Sequence, residues 1–298
     1  MKKYRIIAKE NEIRIDKYIT AQLKEYSRSL IAKEIERENI LVNKKAVKAS
    51  YKTSIGDIID IKIPEENIEL MAQDIALDIL YEDEFLLIIN KPYGMVVHPG
   101  EKNEMDTLVN ALLYRYKKLC NMNSIRPGIV HRLDKNTSGL MICVKDDGAY
   151  EKLIEMFKRH EIKRKYYGLA EGEISHAKII DKPLGRDPKN RMRMAVNYKN
   201  GKSAITFIEP IAFNKTASLL DIELKTGRMH QIRAHLKSIH RPIIGDDLYG
   251  FNNFKTDRMF LHSYSIEFEH PVLKKTLEYK TDIPKSFLEF MKKVDLIV

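Results

Sequence analysis

The sequence contains few of the residues that build disulfide, metal or membrane-spanning structures. It has no tryptophan and only two cysteines among 298 residues, Cys120 and Cys143, whose spacing fits neither a metal site nor a redox motif. This usage is typical of a reducing compartment, so we expect a cytoplasmic protein without a disulfide scaffold. The apolar stretch after Met1 ends at Lys9, and no run approaches membrane-spanning length. We therefore expect a soluble protein that is not exported and has no membrane partner.

Motifs for nucleotide cofactors are also missing. Gly201-Lys202-Ser203 ends like a phosphate-binding loop, but the position five residues before Gly201 is Val196 instead of glycine. The chain has no nucleophile elbow, no His-Glu-x-x-His helix and no dinucleotide fingerprint. We expect no cofactor, so any catalysis must rest on ordinary side chains.

Positive charge is in excess and is unevenly distributed. The 52 Lys and Arg against 42 Asp and Glu give a net charge of +10, which favours a polyanionic partner such as nucleic acid. Residues 1–64 hold 15 basic and 9 acidic side chains, whereas residues 65–84 hold 8 acidic side chains and no basic one. This pattern predicts two basic bodies that contact the polyanion and an acidic connector that does not, although a solvated surface would carry similar charges.

The first 64 residues have the pattern of a small module. Apolar residues at helical spacing predict one helix over 14–25 and a second helix after Ser27, and apolar stretches predict strands at 40–42 and 59–63. Polar residues on or near exposed turns of the helices could bind phosphates, namely Arg14, Lys17, Ser27, Arg28 and Lys33. Arginines on a helix are more often only solvated.

From Ile79 onward the pattern changes to many short apolar strands with few helices between them. The clearest helices span residues 106–118 and 147–160. Strands without regular βαβ alternation predict an α+β domain with a largely antiparallel sheet. We therefore predict a module at residues 1–64, an acidic linker at 65–76 and a larger domain at 77–298.

One carboxylate lies in an unusual setting, within His131-Arg132-Leu133-Asp134-Lys135. Arg132 precedes Asp134 by two residues and Lys135 follows it, and neighbouring cations favour an ionised carboxylate. An apolar strand begins near Leu140, so we expect Asp134 at a junction of loop and strand beside the core. A lone Asp in a basic loop is usually a turn or salt-bridge residue, so both interpretations stay open here.

A second basic cluster runs from Leu224 to Leu236. Gly227 can end a strand, and residues 228–235 can then form a helix on which Arg228, Gln231 and His235 share one side while Arg233 points elsewhere. Such a segment could bring one arginine to a carboxylate and others to phosphates. The residues alone favour a solvated basic helix about equally.

Together the motifs resemble two known families. Residues 12–63 resemble the S4 RNA-binding fold through four segments, which are Arg14-Ile15-Asp16-Lys17, Ser27-Arg28-Ser29, Leu41-Val42-Asn43 and Gly56-Asp57. Residues 75–298 are similar to the catalytic domain of the RluA-type pseudouridine synthases. Besides the two clusters, the segments found in that family's order are Leu77 to Asp83, Asn90 to Gly100, Asp106 to Asn110, Gly201 to Ala204, His240 to Asp246, Tyr249-Gly250 and Leu261-His262.

The resemblance implies an isomerase that breaks the N1 to C1′ bond of a uridine in RNA and rejoins the base through C5, without a cofactor or a metal. Its catalytic domain would have a mixed, largely antiparallel sheet with flanking helices and a central cleft. Asp134 would be the essential carboxylate, acting by addition or by taking a ribose proton, and Arg233 would pair with it. Tyr166 would stack on the target base and is a candidate for removing the C5 proton, although an ordinary phenol is a poor base at neutral pH.

The resemblance also predicts how RNA binds. Arg132 would fill the gap that the flipped-out base leaves. Further RNA contacts are expected from Arg228, Gln231 and Leu261. The S4-like module favours large-subunit ribosomal RNA, with bacterial 23S rRNA ahead of transfer RNA, and we expect a monomer.

Two other functions remain as alternatives. A non-catalytic RNA-binding protein could be built from the S4-like module and a basic platform. A metal-dependent hydrolase could use His131, Asp134, His230 and His235, although their spacing matches no metal motif. Tyr93, Met229 and Phe260 depart from the family pattern, which leaves substrate detail open.

Overall fold

The protein is described by a computed structural model that divides into two compact units, Met1–Glu69 and Leu70–Val298. The described residues are 2–23, 26, 28–63, 70–100, 105–116, 119–120, 126–251 and 253–297, with residue 29 described by its backbone alone. The segment 70–76, which the sequence assigned to a linker, belongs to the second unit. In this segment the Gln73 N–H donates to the Asn110 carbonyl, and the Asn110 side-chain amide donates to the Met71 carbonyl. The acidic composition of the segment did not indicate these contacts.

A four-stranded antiparallel sheet and two helices form the N-terminal unit. In chain order its elements are β1 (Lys2–Ile7), α1 (Ile15–Gln22), α2 (Arg28–Glu36), β2 (Ile40–Val42), β3 (Lys45–Ala46) and β4 (Ile58–Ile63). The strand order is β1-β4-β2-β3. Alternate residues of β4, namely Ile59, Ile61 and Ile63, pack with buried isoleucines of both helices. The residue pattern predicted the helices, β2 and β4, but not β1.

The second unit is built on a nine-stranded mixed sheet. In chain order its elements are β5 (Ile79–Glu82), β6 (Leu86–Lys91), α3 (Leu108–Arg115), β7 (Ser138–Val144), α4 (Asp147–Lys158), β8 (Lys163–Glu171), β9 (Lys178–Asp181), β10 (Leu184–Arg186), β11 (Met194–Val196), β12 (Ile205–Phe213), β13 (Ala217–Leu224), α5 (Gln231–Lys237), β14 (Leu261–Glu269), β15 (Thr276–Lys280) and α6 (Lys285–Lys293). The large sheet has the order β5-β6-β7-β14-β8-β13-β12-β9, with β15 beside β14. Its one parallel pair within the described residues is β7 with β14, so the predicted α+β class with a largely antiparallel sheet is confirmed.

Strand β7 is buried along its whole length because both of its faces are covered. Met141 and Cys143 face one cluster of apolar side chains, and Leu140 and Ile142 face another that includes Leu153 of α4. Cys143 therefore lies in the core. The loop that carries Asp134 leads into β7 and is therefore attached to a strand that is buried throughout.

Two of the predicted helices of this unit, those over 106–118 and 147–160, end earlier than expected. Thr107 caps α3, and Tyr116 is already extended, so the helix ends at Arg115 and not at 118. The helix predicted to end at residue 160 ends at Lys158, and His160 has a left-handed φ of 59° that no longer continues the helix. No helix in the described part of the chain combines the length and the apolar character needed to span a membrane.

Candidate active site

The loop that carries Asp134 is fixed from both sides. His131 accepts a hydrogen bond from the Ile142 backbone N–H at its Nε2 (2.9 Å), and burial lowers the pKa of His131 to about 3, so the ring is neutral. After Asp134, the Thr137 N–H donates to the Asp134 carbonyl (3.0 Å). Gly139 then enters β7 at φ 112°. Asp134 thus lies at the loop-to-strand junction that the sequence predicted.

A buried arginine links Asp134 to a second carboxylate. Arg233 Nη1 donates to Asp134 Oδ2 (2.8 Å), while Nε and Nη2 donate to the two oxygens of Asp246 (2.7 and 2.8 Å). Burial alone would lower the pKa of Arg233, but the hydrogen bonds and charges of both carboxylates outweigh burial and raise it. Arg233 therefore keeps its charge at all working pH values. Asp246 also accepts the backbone N–H groups of Leu248 and Tyr249, each at 3.0 Å.

The second unit gathers all of its predicted site residues around one pocket. Its lining includes Arg132, Asp134, Tyr166, Arg228, Gln231, Arg233 and Leu261. Tyr166 on β8 is only 5% exposed, and burial raises its pKa, so the phenol stays neutral near pH 7. Leu261 on the neighbouring strand β14 adds an apolar surface. The pocket combines apolar and aromatic walls with one carboxylate and several guanidinium groups.

The predicted helix over 228–235 starts later than expected. Helix α5 begins at Gln231, because His230 has a left-handed backbone (φ 52°) that ends the preceding turn. Arg228 therefore precedes the helix, where its Nε donates to the Ser203 carbonyl (3.0 Å). His235 is buried, with its ring bonded to Thr206 and to a backbone carbonyl, so it does not face RNA with Arg228.

The amide of Gln231 is bonded by the protein itself. Its Oε1 accepts from the Thr226 hydroxyl (2.8 Å) and from the Arg228 N–H (2.9 Å). Its Nε2 donates to the Ile205 carbonyl and to Thr206 Oγ1, both at 3.0 Å. At 2% exposure, Gln231 fixes the turn that carries Arg228.

Four further residues complete the site: the sequence assigned no role to Lys91, Asp246 and Tyr249, and it named His230 only for the alternative metal-dependent hydrolase. Lys91 is fully buried, and its Nζ donates to the carbonyls of Pro92 (2.8 Å), Met95 (2.9 Å) and Lys135 (3.2 Å). Burial lowers the pKa of Lys91 to about 7, while the nearby charge of Asp134 opposes this shift. Lys91 therefore joins the turn after β6 to the Asp134 loop, a contact across 44 residues of sequence that no local signal announces.

Two of the predicted phosphate-binding residues of the N-terminal unit, Arg14 and Arg28, bind one buried carboxylate. Arg14 donates to both oxygens of Asp16 (3.1 and 3.0 Å), and Arg28 donates twice to Oδ2 (2.9 and 2.8 Å). Burial favours a higher pKa for Asp16, but the hydrogen bonds from these two arginines outweigh it and lower the pKa. Both arginine side chains are about half exposed, and Lys17 is exposed beside them. Ser27 lies outside the described residues.

The histidines named for a hydrolase do not share one site. His131 bonds to β7 and His235 to Lys182, while His230 alone approaches Asp134, at 3.7 Å. Within the described ranges, no group of three or more His, Cys, Asp or Glu side chains could hold a metal ion.

Comparisons with known proteins identify the family. Residues 85–238 match the family model for RNA pseudouridylate synthase, and residues 13–59 match the S4 domain. "Uncharacterized RNA pseudouridine synthase YlyB" of Bacillus subtilis is 38% identical over 93% of both chains. "Ribosomal large subunit pseudouridine synthase D" of Escherichia coli K12 is 37% identical over 95% of this chain and 91% of its own.

A solved structure agrees with the fold. "Human RNA Pseudouridylate Synthase Domain Containing 1" superposes with a TM-score of 0.60 at 23% identity, over 74% of this chain and 88% of the human chain. The chain belongs to the RNA pseudouridylate synthase family and is an isomerase that converts uridine to pseudouridine in RNA.

Proposed function

We propose that Asp134 is the essential carboxylate of this pseudouridine synthase and that it acts on a uridine flipped into the pocket between Tyr166 and Arg233. The observation that carries the proposal is the 2.8 Å bond from a permanently charged Arg233 to Asp134 inside that pocket. The bond orients the Asp134 carboxylate, and a carboxylate acts as a nucleophile or a base in its ionised form. Either addition to the nucleoside or removal of a ribose proton requires that form.

The reaction is balanced without an outside reagent. The N1 to C1′ bond breaks, the base turns within the pocket and C5 bonds to C1′, and the proton that C5 loses to solvent is balanced by a proton that N1 gains. Tyr166 and Leu261 would hold the detached uracil between aromatic and apolar surfaces while it turns. Because the raised pKa of Tyr166 keeps its phenol neutral, we assign this residue to stacking.

RNA binding would use guanidinium groups on both units. Extrusion of the target base costs a few kcal/mol, and the exposed Arg132, two residues from Asp134, can stack in the vacated space. Arg228 would contact a phosphate group of the RNA. Gln231 would contribute to RNA binding indirectly, because it accepts the Arg228 backbone N–H and so holds the turn that carries Arg228. On the N-terminal unit, Arg14 and Arg28 use only Nε and Nη2 on Asp16, and their remaining N–H groups, with Lys17, can contact the backbone phosphates.

We propose large-subunit ribosomal RNA as the substrate, because relatives that match over more than nine-tenths of this chain carry that substrate in their names. Bacterial 23S rRNA is our first candidate. We further propose that the enzyme works as a monomer in the cytoplasm, where this RNA is assembled.

The test is release of tritium from RNA that carries 5-tritiated uridine, with 23S rRNA and transfer RNA transcripts compared. Wild-type protein should release tritium from 23S rRNA, and Asp134→Asn should abolish release while its RNA affinity stays within about twofold. Asp74→Asn, an exposed carboxylate, is the matched control and should behave as wild type. Wild-type release by Asp134→Asn would contradict the proposal, and preferential release from transfer RNA would contradict the substrate.

A second pair of variants tests stacking by Tyr166. Tyr166→Phe keeps the aromatic face and should bind RNA with nearly unchanged affinity, whereas Tyr166→Ala should lose about 1–3 kcal/mol of binding free energy. Equal affinities of the two variants in a filter-binding titration would argue against stacking.

A further inference from the structure

His230 adopts a strained backbone conformation immediately before α5. Its φ of 52° and ψ of 23° are left-handed, a region that a non-glycine residue rarely enters. Gly, Asn and Asp adopt this conformation most readily, and the His230 side chain makes no capping hydrogen bond. Its imidazole instead lines the pocket with Asp134, so the strain serves the placement of the ring.

A chain of hydrogen bonds connects the ring to Tyr249 and to the Met194 backbone. The Tyr249 oxygen accepts the Met194 N–H (2.6 Å) and lies 3.1 Å from His230 Nδ1. The Tyr249 hydroxyl proton can therefore point to Nδ1, and the neutral ring then carries its proton on Nε2. Burial lowers the pKa of His230, against the opposing charges of Asp134 and Asp246, so the ring is neutral at pH 7.

The Nε2 side of the ring points to Asp134. Nε2 lies 3.7 Å from Oδ2, the oxygen that already accepts the bond from Arg233. The described residues provide no hydrogen-bond donor to Oδ1. A gap of 3.7 Å exceeds a hydrogen bond, but catalytic contacts are often long before substrate is bound and tighten in the complex.

We propose that His230 is a positioning residue, whose Nε2–H acts with Arg233 to hold Oδ2 of Asp134 so that Oδ1 is the oxygen that reacts with the nucleoside. The inference rests on the proposed role of Asp134. Two donors on one oxygen fix the rotation of the carboxylate, which a single guanidinium contact leaves freer. Reacting groups must be held near their attack geometry, and a small misplacement can lower a rate by about 100-fold.

Two substitutions separate this role from a backbone role. Asn suits the left-handed position before a helix but is too short to place a donor at the ε position, whereas the amide nitrogen of Gln reaches it. We expect His230→Asn to fold at least as stably as wild type and to lose kcat by roughly 10- to 100-fold with KM within about twofold. His230→Gln should recover most of the kcat.

The measurements are steady-state tritium release, which gives kcat and KM, together with RNA affinity and urea unfolding, with Asp134→Asn in parallel. Full activity of His230→Asn, or equal kcat losses in the Asn and Gln variants, would overturn the inference. If Asp134→Asn is inactive while His230→Asn is fully active, only this inference fails. If Asp134→Asn remains active, the proposed function itself fails. Nitrogen NMR of wild type should find the His230 proton on Nε2, and a proton on Nδ1 would also overturn it.

Discussion

The substitution Arg233→Lys tests the link between the two carboxylates of the active site. Arginine makes three bonds at once, one to Asp134 and two to Asp246. Lysine keeps the positive charge but has a single nitrogen at the end of a flexible chain, so it cannot hold both carboxylates in the same geometry.

The expected loss follows from the bonds that lysine cannot make. A hydrogen bond to a charged group contributes about 1.5–3 kcal/mol. Losing the bond to Asp134 should therefore lower kcat by roughly 10- to 150-fold if that bond orients the carboxylate in the transition state. Asp246 is only 1% exposed, but it keeps two backbone donors, so we expect a further loss of about 1–3 kcal/mol in the free energy of unfolding.

Single-turnover tritium release and urea unfolding separate these two effects. Arg241→Lys is a matched control, because Arg241 donates only to the backbone carbonyls of His240 and Glu173 and should tolerate the change. If Arg233→Lys releases tritium within twofold of the wild-type rate, Arg233 does not orient Asp134.

Three further substitutions test the scaffold around the site and the N-terminal unit. Gly139→Ala would place a Cβ 2.2 Å from the Ser263 carbonyl oxygen, at a residue whose φ is 112°. We therefore expect the free energy of unfolding to fall by more than about 4 kcal/mol, or the protein to be insoluble. Gly100→Ala is the control and should leave stability unchanged, because its Cβ would meet nothing within 4 Å. Lys91→Met leaves three carbonyls without their donor and should lower the free energy of unfolding by about 3 kcal/mol or more in urea titrations. The lowered pKa of Asp16 stabilises the N-terminal unit above the ordinary pKa of 3.8, and that contribution is lost as the pH falls through the lower folded value. The rate of proteolysis of the N-terminal unit should therefore rise as the pH falls through this range, and the rise should be smaller in Asp16→Asn. The same pH profile in wild type and Asp16→Asn would count against a stabilising role of the ion pairs of Asp16.

The sequence by itself determined the elements whose signal is local. Alternating isoleucines predicted β4, and the uninterrupted apolar run predicted β7, because the face that a strand buries is written in its own residues. Asp134 could be placed at a loop-to-strand junction for the same reason. The family motifs added the pairing of Asp134 with Arg233, which the structure has at 2.8 Å across 99 residues.

Tertiary structure alone decided the contacts that join distant segments. Nothing near Lys91 in the sequence reveals that its ammonium group reaches the Lys135 carbonyl, and nothing near Asp246 reveals that it shares Arg233 with Asp134. The start of α5 was missed because His230 has a left-handed backbone and contacts Tyr249, 19 residues away, and the helical spacing of the local residues indicates neither feature. Local patterns report burial along one element, whereas hydrogen bonds between elements depend on how the whole sheet brings their ends together.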